Sequence, residues 1–330
     1  MKMKFLFGLS LLSCAMLSHA YDLTQLQAHL DRQQFKKLHQ TVAQLPETPT
    51  TAELRVMQAK AMLSLNDDEA LEELIPDILK SFPKHAELHY LASANQFNLA
   101  QAGIIFSAPG RAKKGLAYLK LAVQLEPDNS RYQRGLIGFY LNAPGIAGGD
   151  EKEAQRLADA LLKQDPIQGT LAQADILQKN EKTTEAQALI DTQLSAHPDN
   201  THLLEAKAGY LARAKQVQEA FALYQKALTL YPTELEKYGS LYQLGRLAAV
   251  EGQDTTIGAQ ALQQFIAFYQ DSDNPMYPWA QLRLAQIQLR LKDTAAATAT
   301  IAPLLAQKND QERLQKELKS FQKQLKSSKS

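Results

Sequence analysis

Cysteine is nearly missing from this chain. One of its 330 residues is a cysteine, Cys14, and it falls within the first twenty. If that stretch is removed, nothing is left to form a disulfide, a thiol nucleophile or a thiolate metal site. Excess charge is missing too. The whole chain has 36 Lys and Arg against 35 Asp and Glu. Without Lys2 and Lys4 the balance is 34 to 35, a net of −1. Neutralising phosphates takes a strong local excess of basic residues, so no nucleic-acid partner is expected. Runs of alternating β-branched residues are absent, which leaves no signal for a sheet. No nucleophile elbow, paired-carboxylate signature or dinucleotide fingerprint stands out, so neither catalysis nor a cofactor is expected.

The long apolar run lies at the start, MKMKFLFGLSLLSCAMLSHA. Lys2 and Lys4 precede an apolar stretch from Phe5 to Leu17, and Ser18-His19-Ala20 puts small residues where a signal peptidase reads. Residues 1–20 therefore read as a secretory signal, too short to span as a stop-transfer helix. Cleavage after Ala20 would release a periplasmic or secreted chain beginning at Tyr21. Leu-Leu-Ser-Cys at 11–14 loosely fits a lipoprotein box, which would instead leave an envelope lipoprotein anchored through Cys14. Ala15, Met16 and Leu17 continue the apolar run past that cysteine, which argues against it.

What the rest of the chain has is a period. Pro83, Pro127, Pro166, Pro198 and Pro232 each follow a helical-looking run, and the last two intervals are 32 and 34 residues. That spacing belongs to helical-hairpin repeats stacked as one elongated solenoid. In residues 201–234, Ala208, Ala220 and Ala227 sit where two helices must approach closely. Tyr224 fills the space beside one crossing, on the same face as Ala220, and Pro232 ends the second helix. The same register recurs at Ala59; Gly115 and Ala122; Leu136, Tyr140 and Ala154; and Ala174 and Ala186. It continues at Leu244, Gly245, Ala261, Phe265 and Phe268, and then at Ala285, Leu289, Ala297, Ile301 and Leu304.

This pattern resembles the tetratricopeptide repeat. The resemblance implies an all-α, right-handed superhelical solenoid of antiparallel helix pairs, about seven units over residues 21–308. It also implies a non-catalytic scaffold or adaptor that binds a protein or peptide partner along its concave face. In such arrays the first helix of each pair lines that face. Register then places Arg131, Arg134, Asn142, His202, Glu205, Arg213, Tyr242, Arg246, Gln286 and Arg290 there. Arginines recur, and guanidinium groups suit carboxylates. The Lys and Asn set of the family's carboxylate clamp is not reproduced.

Two intervals are long, 44 residues from Pro83 to Pro127 and 39 from Pro127 to Pro166. The excess is expected in the turns of two consecutive units, FSAPGR (106–111, within 103–111) and NAPGIAGGD (142–150). Both should emerge on one edge, where loops on a rigid scaffold carry function. Phe106 and Ile146 are the candidate apolar contacts there, with Ile104 and Ile105 beside the first loop; packing inward is the expectation for 104–106. Gly148-Gly149-Asp150 before a helix suits either an Asp-capped turn or a phosphate cradle. It lacks the Lys-Ser or Lys-Thr of a P-loop. The PGIAGGD stretch also resembles exported tetratricopeptide-like proteins that accompany TRAP-type solute transporters. That implies an alternative, a solute-binding accessory of an envelope transporter.

Other local signals are structural. Thr50 with Glu53, and Asp150 with Glu153, read as capping boxes. Pro-Asp-Asn at 127–129 and 198–200 should cap the helices that follow. His85 and His89, one turn apart, could offer two ligands to a metal, but no third is in view. Leu314, Leu318, Phe321 and Leu325 share one face in 309–330, with Lys316, Lys319, Lys323 and Lys326 around it. That pattern reads as a capping helix with a basic tail, or as a basic amphipathic helix that touches anionic lipid or a partner.

Overall fold

The structure, a computed structural model, describes residues 23–45, 51–103, 106–306 and 311–328. The signal-peptide and Cys14 readings, Thr50, Ile104 and Ile105 lie outside them. The described residues form seventeen α-helices and no strand. Consecutive helices pair: α1 (Leu23–Asp31) with α2 (Phe35–Ala43), α3 (Ala52–Ser64) with α4 (Asp68–Ser81), α5 (Ala86–Ala102) with α6 (Ala108–Leu125), and α7 (Ser130–Asn142) with α8 (Glu151–Gln164). Then come α9 (Pro166–Lys179) with α10 (Thr183–Ala196), α11 (Thr201–Arg213) with α12 (Val217–Leu230), α13 (Tyr238–Glu251) with α14 (Thr255–Phe268), and α15 (Tyr277–Arg290) with α16 (Thr294–Ala306). A last helix, α17 (Glu312–Ser327), follows.

Odd-numbered helices also meet the next odd-numbered helix, through backbone proximity as α1 does α3, α7 does α9 and α13 does α15, and through side chains as Tyr132 of α7 does Glu87 of α5 and Ser240 of α13 does Glu205 of α11. A layer whose members touch each other as well as their partners is the inner layer of a curved array. The odd helices therefore line the concave side of a right-handed superhelix.

The pairs close where side chains are small. Ala122, Ala154, Ala186, Ala208, Ala220, Ala227, Ala285 and Ala297 are all fully buried. At Gly245 a methyl group would sit 2.1 Å from Leu262 Cγ, so α13 and α14 meet with no room for one. Five hairpins share one turn. Gln33, Asn66, Glu181, Lys215 and Lys292 each take a left-handed backbone two residues before the second helix. The amide after each reaches back five residues, as Gln216 does to Leu211 and Asp293 to Gln288. This is the Schellman closure, made here without its usual glycine.

The enlarged units depart from expectation. Ala108-Pro109-Gly110 is not loop but the first turn of α6, with proline at a position where its missing amide costs nothing. The extra length of this unit goes into α5 and α6, which run to 17 and 18 residues. In the next unit the excess does stay in the connection. Residues 143–150 wrap into a short 3-10 turn, Gly145–Ala147, that packs on α6. Gly148 is left-handed there, and at Gly149 a Cβ would overlap the Ala143 carbonyl.

Capping follows the sequence signals at some helix ends and departs from them at others. Asp150 accepts from the amides of Lys152 and Glu153, and Asn200 accepts from Leu203. Thr51, one residue beyond Thr50, caps α3 by accepting from Leu54. Asn129 caps nothing and donates to Glu126 instead. Pro166 opens α9 rather than closing α8, with Asp165 as the cap.

Candidate functional site

Open cavities punctuate the concave side, each between successive inner helices. The first, about 390 Å³, is lined by Tyr90, Arg131, Arg134, Gly135 and Gln168. A neighbour of about 400 Å³ holds Arg134, Asn142, Asp175, Gln178 and Lys179. Farther along, Gly209, Arg213, Tyr224, Gln243, Arg246 and Glu251 line about 480 Å³. The last, about 500 Å³, collects Val250, Arg283, Gln286, Leu289, Arg290 and Gln324. The structure thus joins Arg134 with Asn142, and Arg213 with Arg246, and sets Arg290 beside Arg283.

These arginines are not equivalent. Arg134 is 2.7 Å from Asp175 and donates to Gln168. Arg131 is 3.0 Å from Glu87 and covers the Tyr90 ring. Glu87 is a hub, accepting also from the Tyr132 hydroxyl at 2.7 Å and pairing with Lys60 at 3.1 Å. Burial alone would raise the Glu87 pKa. The hydrogen bonds from Tyr132, Arg131 and Lys60 outweigh that and hold it below the usual carboxylate range.

Arg213, Arg246 and Arg290 have no carboxylate within ion-pair distance among the described residues. Arg213 rests on the Tyr210 ring, 4.6 Å from its centroid. Arg246 donates from Nε to Gln243, and Arg290 to the Ala249 carbonyl. Tyr224 lines the same cavity as Arg213 and Arg246. Burial pushes its hydroxyl pKa up, with the two arginines opposing, so it remains a neutral donor. Gly209 keeps the cavity open: a side chain there would grow toward the Arg213 guanidinium and the Tyr224 hydroxyl.

The other candidates scatter. Tyr242 was expected on the surface but is 8% exposed and packs on Phe265, so it belongs to the core. Glu205 is engaged by the Ser240 hydroxyl at 2.6 Å. Phe106 was expected to pack inward but is 95% exposed, and Ile146 is 71% exposed. His89 is buried with Nε2 on the Pro83 carbonyl, and His85 precedes α5 at its N-cap position. No group of three His, Cys, Asp or Glu suited to a metal occurs among the described residues. At the Gly148-Gly149 turn, Asp150 already occupies the amides of α8 with negative charge, which disfavours phosphate there.

Sequence reasoning missed the Glu87 hub and the opening at Gly209. The signal for Gly209 was its place one helical turn before Arg213. Glu87 had no local signal, because its partners lie 27 residues upstream and 44 and 45 downstream.

No model of a protein family matches the sequence, and no curated protein matches it. Solved structures do. A chain of the APC/C hetero-tetramer Cut9–Hcn1 is similar at 13% identity and a TM-score of 0.50, over 90% of this chain. This chain spans about half, 54%, of that one. A monomeric IFIT1 mutant with m7Gppp-AAAA is similar at 15% identity and a TM-score of 0.50, over 91% of this chain and 68% of that one. A tetratricopeptide repeat protein from Parabacteroides merdae has 11% identity and a TM-score of 0.46, over 81% and 97%. The likenesses to Cut9–Hcn1 and IFIT1 concern the fold alone. The chain is an all-α, helix-pair repeat solenoid of the tetratricopeptide-like kind.

Proposed function

We propose that this protein is a scaffold of the cell envelope that binds an extended, acidic protein segment along its concave face, without covalent chemistry. The observation that carries this reading is the cavity that Arg213 and Arg246 share, where neither has a carboxylate of the described residues within ion-pair distance and the Glu251 that also lines it is paired with Lys215 at 2.7 Å. Two guanidinium groups without an ion-pair partner on one cavity suit a partner carboxylate, which would accept bidentate hydrogen bonds from them. Arg290 extends the same surface. Phe106 and Ile146 add exposed apolar contacts. The secretory pattern of residues 1–20 supports an envelope location, and no described helix is long and apolar enough to cross a membrane. A solute-binding accessory would need an enclosed apolar cavity, whereas the four cavities above are open and carry charged side chains.

The test is affinity capture from an envelope extract after crosslinking in cells. Wild type should enrich one or two proteins. Arg213→Gln with Arg246→Gln should lose them, and Phe106→Ser should weaken them while helicity stays normal. Capture that is unchanged in the arginine double variant would refute the reading.

A further inference from the structure

The array comes back on itself. In a solenoid each repeat touches only its neighbours, yet here the turn joining α1 to α2 meets the turn joining α14 to α15. The Asp273 amide donates to the Gln33 carbonyl at 2.8 Å. The Asp273 carboxylate accepts from the Lys36 amide at 2.8 Å and pairs with Lys36 Nζ at 2.9 Å. Gln34 Nε2 donates to the Gln270 carbonyl at 3.2 Å. The first helix pair is thereby tied to the segment between the seventh and eighth pairs.

The chemistry of this contact is specific. Helix α2 begins at Phe35, so the Lys36 amide is one of the first-turn donors that needs an acceptor from outside the helix. Its own N-cap residue, Gln34, supplies no cap bond. Asp273, 237 positions away, supplies it, with a carboxylate at the helix end where negative charge is favoured. The turn that presents Asp273 is held in advance: Asn274 is buried, and its side chain accepts from the Met276 amide at 2.7 Å. The contacts named across this seam are hydrogen bonds and an ion pair, unlike the apolar interfaces between successive pairs. It is therefore the place where the array can open at least cost.

We propose that Asp273 is a clasp that caps α2 from across the molecule, holds the solenoid as a closed ring and lets it open at this seam. With the clasp shut, the arginine-lined cavities face the inside of a ring of fixed curvature. With it open, the array regains the spring-like freedom of a linear solenoid.

The test is a distance measurement between spin labels on Ala28→Cys in α1 and Gln264→Cys in α14, both exposed. Cys14→Ser leaves these as the only cysteines. The parent should give one narrow, short distance population. Asp273→Lys removes the cap and sets two lysines against each other, and should lengthen and broaden the distribution while overall helicity is kept. Adding Lys36→Glu restores an opposite-charge pair and should recover part of the short population. A short distance retained in Asp273→Lys would overturn the clasp, as would a broad distribution in the parent. A long distance that the charge swap does not shorten would assign the change to damage in the turn, and would overturn it too.

Discussion

Helix α5 buries Asn95 and Gln96 completely, whereas the equivalent helix α13 buries Leu244, Leu247 and Ala248. The contrast extends through the two regions. Around α3 to α8 the apolar core is broken into small clusters. Polar ties lie between them, among them Asn95 to the Asp68 carbonyl, Gln96 and Arg111 to Glu72, and the Glu87 hub. From α11 to α17 a single cluster runs from Ala208 to Leu325, with Tyr238 stacked on Phe268 at 3.9 Å. Arginines follow the same division. Those of α7 are neutralised by Glu87 and Asp175 and act as staples. Arg213, Arg246 and Arg290, on α11, α13 and α15, have no such carboxylate among the described residues, whereas the buried Arg283 of α15 is paired with Glu317 at 2.7 Å.

The largest expected effect is at Glu87. Glu87→Ala leaves Tyr132, Arg131 and Lys60 without their shared acceptor, and should cost about 3 kcal/mol in urea unfolding. The same group makes the N-terminal region acid-sensitive. Its folded pKa is depressed, so its stabilisation is complete above the unfolded value of about 4.3 and is lost as pH falls through the folded one. Glu87→Gln should flatten the stability–pH curve there; a curve parallel to wild type would contradict this.

Next comes the C-terminal core. Gly245→Ala must displace Leu262 and should cost about 2 kcal/mol, whereas Gly138→Ala in α7, where a methyl group meets nothing within 4 Å, should stabilise by up to about 1 kcal/mol. Thermal melts of the two variants should move in opposite directions.

The arginines sharpen the comparison further. Arg134→Met loses a partly exposed ion pair and should cost about 1 kcal/mol or less. Arg246→Met should cost nothing or gain a few tenths of a kcal/mol, because no carboxylate loses a partner. Equal losses at both positions would erase the distinction between staple and free arginine. Another small effect should ignore the regions altogether. Glu181→Gly and Lys292→Gly place glycine where the backbone is left-handed, and each should stabilise by about 0.5 kcal/mol.

Much of the fold was legible because its determinants are local and periodic. Ala208, Ala220, Tyr224 and Ala227 marked the crossings, and each is buried. Insertions were read less well, since Pro109 serves as readily inside a first helical turn as in a loop. Four of the five left-handed turns carry no local signal, because Gln33, Glu181, Lys215 and Lys292 are not residue types that announce such a backbone; the fifth, at Asn66, has a residue type that favours it. The site was half legible. Register put Arg134, Arg213, Arg246 and Arg290 on the concave side, but whether an arginine is paired depends on residues such as Asp175, 41 positions away. Tyr242 failed for a related reason: neighbouring faces of an inner helix are core and groove, and one step of register separates them. The seam at Asp273 joins distant turns, and nothing local marks it.

On the proposed function, the free arginines of the C-terminal region carry partner recognition and the stapled ones do not. Side-by-side capture from envelope extract with wild type, Arg213→Gln/Arg246→Gln and Arg134→Gln tests it directly. The same one or two proteins should be retained by wild type and Arg134→Gln and lost from the double variant. Loss from Arg134→Gln with retention by the double variant, or equal capture by all three, would contradict it.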